Sequence, residues 1–212
     1  MKLYYSPAAC SLSPHIVIKE TGLDIELVKV DLRNHTFNHG EDFFTLSPAG
    51  AVPALSFPDG TVLTEGPAVI QYLADLKPES LLAPPNGTLL RYQLQQWLNF
   101  LSTEIHKGFI PVIYGAPEEH YIKRAKMKLM DRFRLINHRL GEQNFLLSDA
   151  YSIADCYLFA LIGWAQAEWL TSYMHLDIHL DDLHHLAAWY RRVAARDAVK
   201  LAIKEEGLTA TA

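Results

Sequence analysis

Cys10 has the residue type and the position for thiol chemistry, because it stands between a predicted strand and the predicted start of a helix. A thiol there faces the positive end of the helix dipole and the unpaired amides of the first turn. Both stabilise a thiolate, so we expect the pKa of Cys10 to be lowered. The alternative is a buried cysteine that packs as a small hydrophobic residue. Ser13 occupies the second position of a C-x-x-C pair, which excludes a dithiol redox cycle within this motif.

Two short segments could hold an extended peptide or an amino-acid head. Pro53 enters a predicted strand, where it removes a donor from the ladder. A cis bond after Val52 would expose the backbone for pairing with a peptide, and an ordinary turn proline is the alternative. At the start of a later helix, backbone amides can hold a carboxylate while Glu65 holds an ammonium group. The alternative for that segment is a solvated helix cap.

Four histidines near the C-terminus form a candidate metal site: His175, His179, His184 and His185. The first two have the i, i+4 spacing that lets two imidazoles on a helix chelate one ion. Three aspartates in the same stretch are typical of a solvated helix entrance, and no cysteine joins the group. We therefore expect no metal to be bound.

The elements that must position these residues alternate over residues 1–77. Apolar runs predict strands, and helix starts and stops are marked by serine, proline and glycine. Ser13 is the expected N-cap of the first helix, with Pro14 at its first position. The turn Pro58-Asp59-Gly60 predicts a hairpin. The predicted order is β-α-β-α-β-β-α, with strands over 2–5, 25–32, 54–57 and 61–63 and helices over 14–21, 41–46 and 67–76.

The composition changes after residues 78–87, a proline-rich segment that we interpret as a linker. Helical spacing of apolar residues then predicts a helix through Leu94 and Ile105, and others over 118–140, 153–169, 182–196 and 198–206. The nearly unbroken apolar run 153–169 should be the buried helix. Ser152 and Asp155 resemble a capping box at its start, which is a structural role. An α/β domain over 1–77 is thus followed by an all-α domain over 88–212.

The composition narrows the class of protein. The chain has 212 residues, 50% of them hydrophobic and 20% charged, which fits two folded domains. Its net charge is −5 with no basic run, so we expect neither a nucleic-acid nor a membrane partner. The two cysteines, Cys10 and Cys156, fit a reducing compartment. With no signal peptide and no apolar span in the sequence, we expect a cytoplasmic protein.

Several motifs, in their order and spacing, resemble those of the cytosolic glutathione transferases, and most closely their bacterial beta class. The resemblance covers the whole chain. Each motif alone is weak, and the set is specific. The motifs are Met1-Lys2-Leu3-Tyr4-Tyr5, Ala9-Cys10-Ser11-Leu12-Ser13, Val52-Pro53-Ala54-Leu55, Leu63-Thr64-Glu65-Gly66, Gln71-Tyr72-Leu73-Ala74-Asp75, Glu104-Ile105-His106-Lys107-Gly108-Phe109 and Ser152-Ile153-Ala154-Asp155.

The resemblance implies a thioredoxin-like domain followed by a helical domain, assembled as a homodimer. It also implies an enzyme that conjugates the thiolate of its co-substrate, glutathione, to hydrophobic electrophiles in detoxification, without a metal. In the N-terminal domain, Cys10 would lie beside the glutathione sulfur. Val52, before a cis Pro53, would pair its backbone with the cysteinyl part. Glu65 and the Gly66 amide would hold the γ-glutamyl head.

The second domain, or the neighbouring subunit, would add further contacts to glutathione. The resemblance places Asn99, Glu104, His106 and Lys107 there. His106 would point at the sulfur side as a base or a positioning group, and Lys107 would pair with the glycine carboxylate. An apolar electrophile pocket would be lined from the following candidates: Phe109, Ile110, Val112, Ile113, Tyr114 and Trp164.

Thiol activation elsewhere in this superfamily uses a tyrosine or serine near the N-terminus. The candidates here are Ser11 and Tyr5, and Tyr5 is the weaker one because a strand tyrosine with one apolar face is usually core.

The chain departs from the beta-class pattern at His35, a candidate glutathione contact where relatives often have lysine, and at Ala49 and Ala51, where they have lysine and glutamine. We expect weaker glutathione binding, by about 1–3 kcal/mol, since each lost hydrogen bond is worth about 1 kcal/mol. The family's usual Arg-Pro near the C-terminus is Arg196-Asp197 here, which we interpret as a small loop change.

Two other functions compatible with the same fold remain open. One is a glutathione-dependent thiol-disulfide oxidoreductase, in which Cys10 would act through a mixed disulfide with glutathione. The other is a non-enzymatic protein that carries apolar ligands. Replacing Cys10 separates the first of these from conjugation, because the redox reaction requires that thiol.

Overall fold

The computed structural model describes residues 1–114, 120–166 and 182–208. Its N-terminal part is built on a six-stranded sheet. Strand β1 (Lys2–Tyr5) pairs in parallel with β2 (Glu26–Asp31). The other strands pair antiparallel with their neighbours: β3 (Thr36–Phe37), β4 (Glu41–Asp42), β5 (Ala54–Ser56) and β6 (Val62–Thr64). Across the sheet the order is β4-β3-β2-β1-β5-β6, and the last two strands form the predicted hairpin.

Helices α1 (Leu12–Thr21) and α2 (Gly66–Asp75) pack against this sheet and against each other. Their apolar residues, such as Ile16 and Ile70, are fully buried together with Leu3 and Leu55 of the strands. Helix α1 ends at Gly22, whose φ of 66° is a left-handed conformation that glycine adopts without a steric penalty. The predicted fold class, a thioredoxin-like domain with a mixed sheet, is confirmed.

The start of α1 differs from the prediction by two residues. The helix begins at Leu12 with Ser11 as its N-cap, and not at Pro14 after Ser13. The Ser13 hydroxyl donates to the carbonyl oxygen of Cys10 at 2.8 Å, as a side chain inside the first turn does. Cys10 therefore lies two residues before the helix.

The predicted helix over residues 41–46 is strand β4 followed by a single 3-10 turn at Phe43–Thr45. The Asp42 carboxylate accepts a hydrogen bond from the Phe44 amide at 2.9 Å and caps this turn. Phe43 is fully buried against the Tyr4 and Phe37 rings. One anchored aromatic ring, and not an amphipathic face, thus shapes the segment.

The C-terminal part is helical, as predicted. After a 3-10 turn at Pro78–Ser80, helix α3 (Leu89–Phe100) continues through a π-helical segment (Leu101–His106) into α4 (Lys107–Tyr114). The remaining helices are α5 (His120–Glu142), α6 (Ile153–Gln166), α7 (His184–Ala194) and α8 (Asp197–Glu205). Residues 167–169 of the predicted helix 153–169 lie outside the described residues. Within the described ranges, no helix has the length and apolarity to cross a membrane.

Helix α6 is the buried helix of this domain. The carboxylate of Asp155, fully buried, accepts hydrogen bonds from the Ser152 amide at 3.0 Å, the Leu146 amide at 2.9 Å and the Trp189 indole at 2.9 Å. Asp155 thus joins the start of α6 to the preceding loop and to α7. The structural interpretation of the capping box is confirmed.

The second domain holds the loop between β1 and α1 from two sides. The Ala8 amide donates to the Glu206 carboxylate at 3.0 Å, and the Trp164 indole donates to the Ala8 carbonyl oxygen at 2.7 Å. The same Glu206 carboxylate lies 3.0 Å from Nδ1 of the buried His15 on α1. The loop that carries Cys10 is therefore fixed by residues far away in the sequence.

Candidate functional site

Cys10 lies at the centre of the candidate site with its thiol directed at the chain segment before β5. Its Sγ donates a hydrogen bond to the carbonyl oxygen of Val52 at 3.2 Å, and the bond between Val52 and Pro53 is cis. Two predicted segments are thus in contact, and the cis alternative at Pro53 is confirmed. Gly66, at the start of α2, lies against the same proline, since a Cβ added there would be 3.9 Å from the Pro53 ring.

The expected low pKa of Cys10 is wrong. Burial raises the pKa of this thiol to about 12, and this effect outweighs the backbone amides of Cys10 and Ser11 and the charge of Lys107, which all lower it. The helix-dipole argument overlooked that only 9% of the residue is exposed to solvent. The thiol is protonated at neutral pH and donates a hydrogen bond to the Val52 carbonyl oxygen.

Ser11 has a structural hydroxyl. It is fully buried, accepts a hydrogen bond from the Ser6 amide at 3.1 Å and donates to the Ser6 carbonyl oxygen at 3.2 Å. These contacts close the loop before α1, and the catalytic role expected for Ser11 stays a prediction. The other candidate, Tyr5, is buried, and burial together with the Glu206 and Glu205 carboxylates raises the pKa of its phenol. Neither residue offers an activated hydroxyl.

Glu65 and the first turn of α2 form the part of the site suited to an amino-acid head. Glu65 is the N-cap residue of α2, is exposed, and has a φ of 68°, while Gly66 behind it is buried. The unpaired amides of that turn favour a carboxylate, and the Glu65 carboxylate favours an ammonium group. Glu65 also raises the pKa of Cys10 through its charge, which places it near the thiol.

His106 brings the second domain into the site. It ends the π-helical segment, and its Nδ1 lies 2.7 Å from the phenol oxygen of Tyr157 on α6. Its ring packs edge-on against Trp164, with centroids 4.9 Å apart. Burial and the neighbouring Lys107 lower the pKa of His106 to about 4, so the ring is neutral at pH 7.

Lys107 supplies the positive charge of the site. Its side chain is exposed, and its charge lowers the pKa values of both Cys10 and His106. Lys107 lowers and Glu65 raises the pKa of Cys10, so a cation and a carboxylate both lie near this thiol. The arrangement can bind a small zwitterionic peptide and stabilise an anion beside Cys10.

Comparison with known proteins agrees with this geometry. Family models described as the glutathione S-transferase N-terminal and C-terminal domains match residues 8–76 and 100–197. Glutathione S-transferase GstA of Escherichia coli O157:H7 is 40% identical over 98% of this chain and 100% of its own length. The chain belongs to the glutathione S-transferase family.

Solved structures of the family give the same result. A sphingomonad glutathione S-transferase complexed with glutathione is 40% identical with a TM-score of 0.88, and covers 99% of this chain and 100% of its own. The beta-class glutathione S-transferase of Sphingomonas chungbukensis is 39% identical with a TM-score of 0.89, at the same coverage. The resemblance to the bacterial beta class is therefore confirmed.

Two residues expected from the family pattern, Glu104 and Asn99, have contacts within their own domain. The Glu104 carboxylate is paired with Arg132 at 2.7 Å and Lys128 at 3.1 Å, which lower its pKa. Asn99 is exposed, and its carbonyl oxygen accepts from the Thr103 hydroxyl. Their expected contacts with glutathione, from this chain or from the neighbouring subunit, stay a prediction.

His35 lies on the loop between β2 and β3 and packs against Phe44. Its ring is 4.6 Å from that of Phe44, and its buried Nδ1 has no hydrogen-bond partner within the described part of the chain. Gly50 makes this packing possible, because a Cβ there would be 2.8 Å from Nδ1. The histidine is fitted to the loop and does not extend as a lysine would.

The residues expected to line the electrophile pocket divide into two groups. Phe109 and Val112 are fully buried and belong to the core. Ile110 and Tyr114 on α4 are exposed, and Trp164 is half-buried beside His106. Ile113 is partly buried against the core, so the members accessible to an apolar substrate are Ile110, Tyr114 and Trp164.

The proposed metal ligands do not form a site in the described part of the structure. His175 and His179 lie outside the described residues. His184 and His185 are the first two residues of α7, and the His185 amide donates to the Asn137 side chain at 3.0 Å. Within the described ranges, no group of three or more metal-ligating side chains is brought together.

Tyr157 is the functional residue that the sequence analysis missed. It lies inside the most apolar helix, α6, where an aromatic residue indicates core. A signal was available, since a buried phenol requires a hydrogen-bond partner, but the sequence does not show that this partner is His106.

Proposed function

We propose that this protein conjugates the thiolate of glutathione to hydrophobic electrophiles. The observation that carries the proposal is the convergence of the Cys10–Val52 pair, the amide end of α2 and the His106–Lys107 pair on one place between the two domains. Its support also includes the sphingomonad relative, whose structure is described as complexed with glutathione.

The binding mode follows from the charges of the site. The backbone at Val52 pairs with the cysteinyl part of glutathione in the manner of an added strand. The exposed Glu65 carboxylate and the Gly66 amide hold the ammonium and carboxylate of the γ-glutamyl head. Lys107 attracts the glycine carboxylate. This orientation places the glutathione sulfur at Cys10, between the two domains.

Ionisation of the glutathione thiol is the chemical requirement. A thiol with pKa about 8.5 is about 3% ionised at pH 7, and lowering that pKa by about two units requires roughly 2.7 kcal/mol. The charge of Lys107, the amides before α1 and a hydrogen bond from a neighbouring group can supply this. Cys10 cannot be the nucleophile at neutral pH because its own pKa is about 12.

The electrophile is held against that sulfur by apolar side chains. We infer that the accessible residues Ile110, Tyr114 and Trp164 form one wall of its pocket. Proximity to the thiolate then supplies the rest of the rate. The preferred substrate is a small apolar molecule with a good leaving group.

The assembly and location follow the family pattern as proposals. We infer a homodimer, supported by large exposed apolar residues at the start of α3, such as Leu89 and Tyr92. Residues 1–77 bind glutathione, 78–87 link the domains, and 88–212 supply the pocket and the dimer contacts. We also infer action in the cytoplasm in detoxification, supported by two cysteines that are buried and free.

The test is conjugation of glutathione to an activated aromatic halide, measured as initial rates. We expect the wild type to be active and Glu65→Gln to raise KM for glutathione at least tenfold, because the ammonium group loses its ion pair. Glu79→Gln is the matched control, since Glu79 is exposed on the turn after α2. A wild type that neither conjugates nor binds glutathione would contradict the proposal.

A further inference from the structure

Tyr157 makes a short hydrogen bond to the back of His106. Its phenol oxygen lies 2.7 Å from Nδ1, and 1% of the residue is exposed to solvent. The other ring nitrogen, Nε2, makes no hydrogen bond to any of the described residues. A histidine held at one nitrogen and open at the other can present either a proton or a lone pair to a ligand.

The direction of this hydrogen bond decides whether Nε2 presents a proton or a lone pair to the ligand. A buried phenol O–H needs an acceptor, and His106 Nδ1, 2.7 Å away, is the hydrogen-bond partner of Tyr157 among the described residues. The neighbouring Ser102 hydroxyl lowers the pKa of Tyr157. Burial has the larger effect and keeps the phenol protonated. We therefore take the phenol as the donor and Nδ1 as the acceptor of the 2.7 Å contact.

We propose that Tyr157 is a positioning residue that fixes His106 as the Nε2–H tautomer, so that His106 donates a hydrogen bond to the glutathione sulfur and does not accept its proton. A neutral imidazole has one N–H, and when Nδ1 accepts from Tyr157 that N–H is at Nε2. The glutathione thiol releases its proton to solvent, and the Nε2–H stabilises the sulfur anion that remains. The sulfur then bonds to the electrophile as the leaving group departs.

The Trp164 contact supports this orientation. Its ring lies edge-on to His106, and its indole N–H is bonded to Ala8, two residues before Cys10. Trp164 thus holds the imidazole beside the loop where the sulfur is expected. The inference rests on the proposed function only for the position of that sulfur, because the tautomer is a property of the free protein.

The tautomer can be observed directly in the wild type. Nitrogen-15 NMR of the free enzyme at pH 7 distinguishes a protonated from an unprotonated ring nitrogen, and His106→Gln assigns the signals by their loss. We expect Nε2 to carry the proton and Nδ1 to be bare. A protonated Nδ1 would overturn the proposal, whether or not the enzyme conjugates glutathione.

Two variants test the role in thiol ionisation. The amide of His106→Gln can still donate from near the Nε2 position but cannot take up a proton at neutral pH. We expect the absorbance titration of bound glutathione to keep a lowered thiol pKa in this variant. If His106 is instead a general base, kcat falls to the level of His106→Ala, and the donor role is contradicted.

Tyr157→Phe removes only the phenol hydroxyl. We expect it to reduce the thiolate fraction of bound glutathione about threefold to tenfold, the effect of losing one hydrogen bond, with KM for glutathione unchanged. Tyr151→Phe is the matched control, since its buried hydroxyl bonds to Cys156 instead. Equal thiol ionisation in wild type and Tyr157→Phe would contradict the proposal, and conjugation by the wild type shows separately that the proposed function holds.

Discussion

The Cys10 thiol donates a hydrogen bond to the carbonyl oxygen of Val52, 3.2 Å away, immediately before a cis proline. This contact links the loop before α1 to the segment before β5, which are the two segments that flank the proposed glutathione sulfur. A protonated donor in this place fixes the Val52 backbone for a peptide ligand. In our proposal, Cys10 is thereby a structural part of the binding site and not its nucleophile.

Cys10 should resist alkylation in the folded protein. With a pKa of about 12, about one thiol in 10⁵ is ionised at pH 7, and the residue is buried. We expect iodoacetamide to label neither Cys10 nor Cys156 at neutral pH, and to label both after unfolding. Mass spectrometry of the modified peptides measures this. Rapid labelling of native Cys10 would mean that its thiolate is stabilised after all.

His106 should make the protein less stable in mild acid. Its pKa is lowered from the ordinary 6.5 to about 4, so the unfolded state binds a proton first as the pH falls. Its contribution to the free energy of unfolding is fully present above pH 6.5 and is lost as the pH falls to about 4, by at most about 3 kcal/mol.

Urea denaturation between pH 7 and 4 measures that loss. We expect His106→Gln to flatten the decline, because glutamine does not titrate. His138→Gln serves as the control, since His138 is exposed on α5. Identical pH dependence in the wild type and both variants would rule out His106 as the source.

Glu206 should couple the stability of the two domains to glutathione binding. Its carboxylate accepts from the Ala8 amide and lies 3.0 Å from His15, both in the N-terminal domain. Glu206→Ala leaves buried polar groups without a partner, and we expect a loss of about 2–4 kcal/mol. Chemical denaturation and the KM for glutathione measure the two effects, with Lys200→Ala, exposed on α8, as control. An unchanged KM with a normal free energy of unfolding would refute the coupling.

His35 should explain part of a weak affinity for glutathione. We expect His35→Lys to tighten binding by about tenfold at most, since one ionic hydrogen bond is worth about 1–2 kcal/mol. Calorimetric titration measures this, and His39→Lys adds the same charge at an exposed position nearby. Micromolar or tighter binding by the wild type would contradict the premise that the residues at 35, 49 and 51 weaken the site.

The sequence predicted the fold well because its signals are local. Glycine, proline and serine mark the ends of the elements, and the apolar run after Ser152 identifies the buried helix. The segment 41–46 was predicted wrongly as a helix because its structure depends on Phe43 filling a space between Tyr4 and Phe37. Contacts between residues that are brought together by the sheet cannot be recognised from a segment of six consecutive residues.

The site was predicted less completely, because its chemistry depends on burial and on distant contacts. Position alone suggested a thiolate at Cys10, and only the packing around it shows the opposite. Ala8 is hydrogen-bonded to Trp164, which is 156 positions away in the sequence, and to Glu206, which is 198 positions away. The contact of Tyr157 could not be predicted for the same reason, since its partner His106 is 51 residues away in the sequence.

The most direct test of the account compares wild type and Cys10→Ser in two assays, conjugation of glutathione to an activated aromatic halide and reduction of a glutathione mixed disulfide. Serine keeps a donor for Val52 but removes the thiol. We expect Cys10→Ser to retain most of the conjugation rate, because bound glutathione supplies the thiolate. If the wild type reduces the mixed disulfide but does not conjugate, and the variant does neither, Cys10 is the reactive group and the account is contradicted.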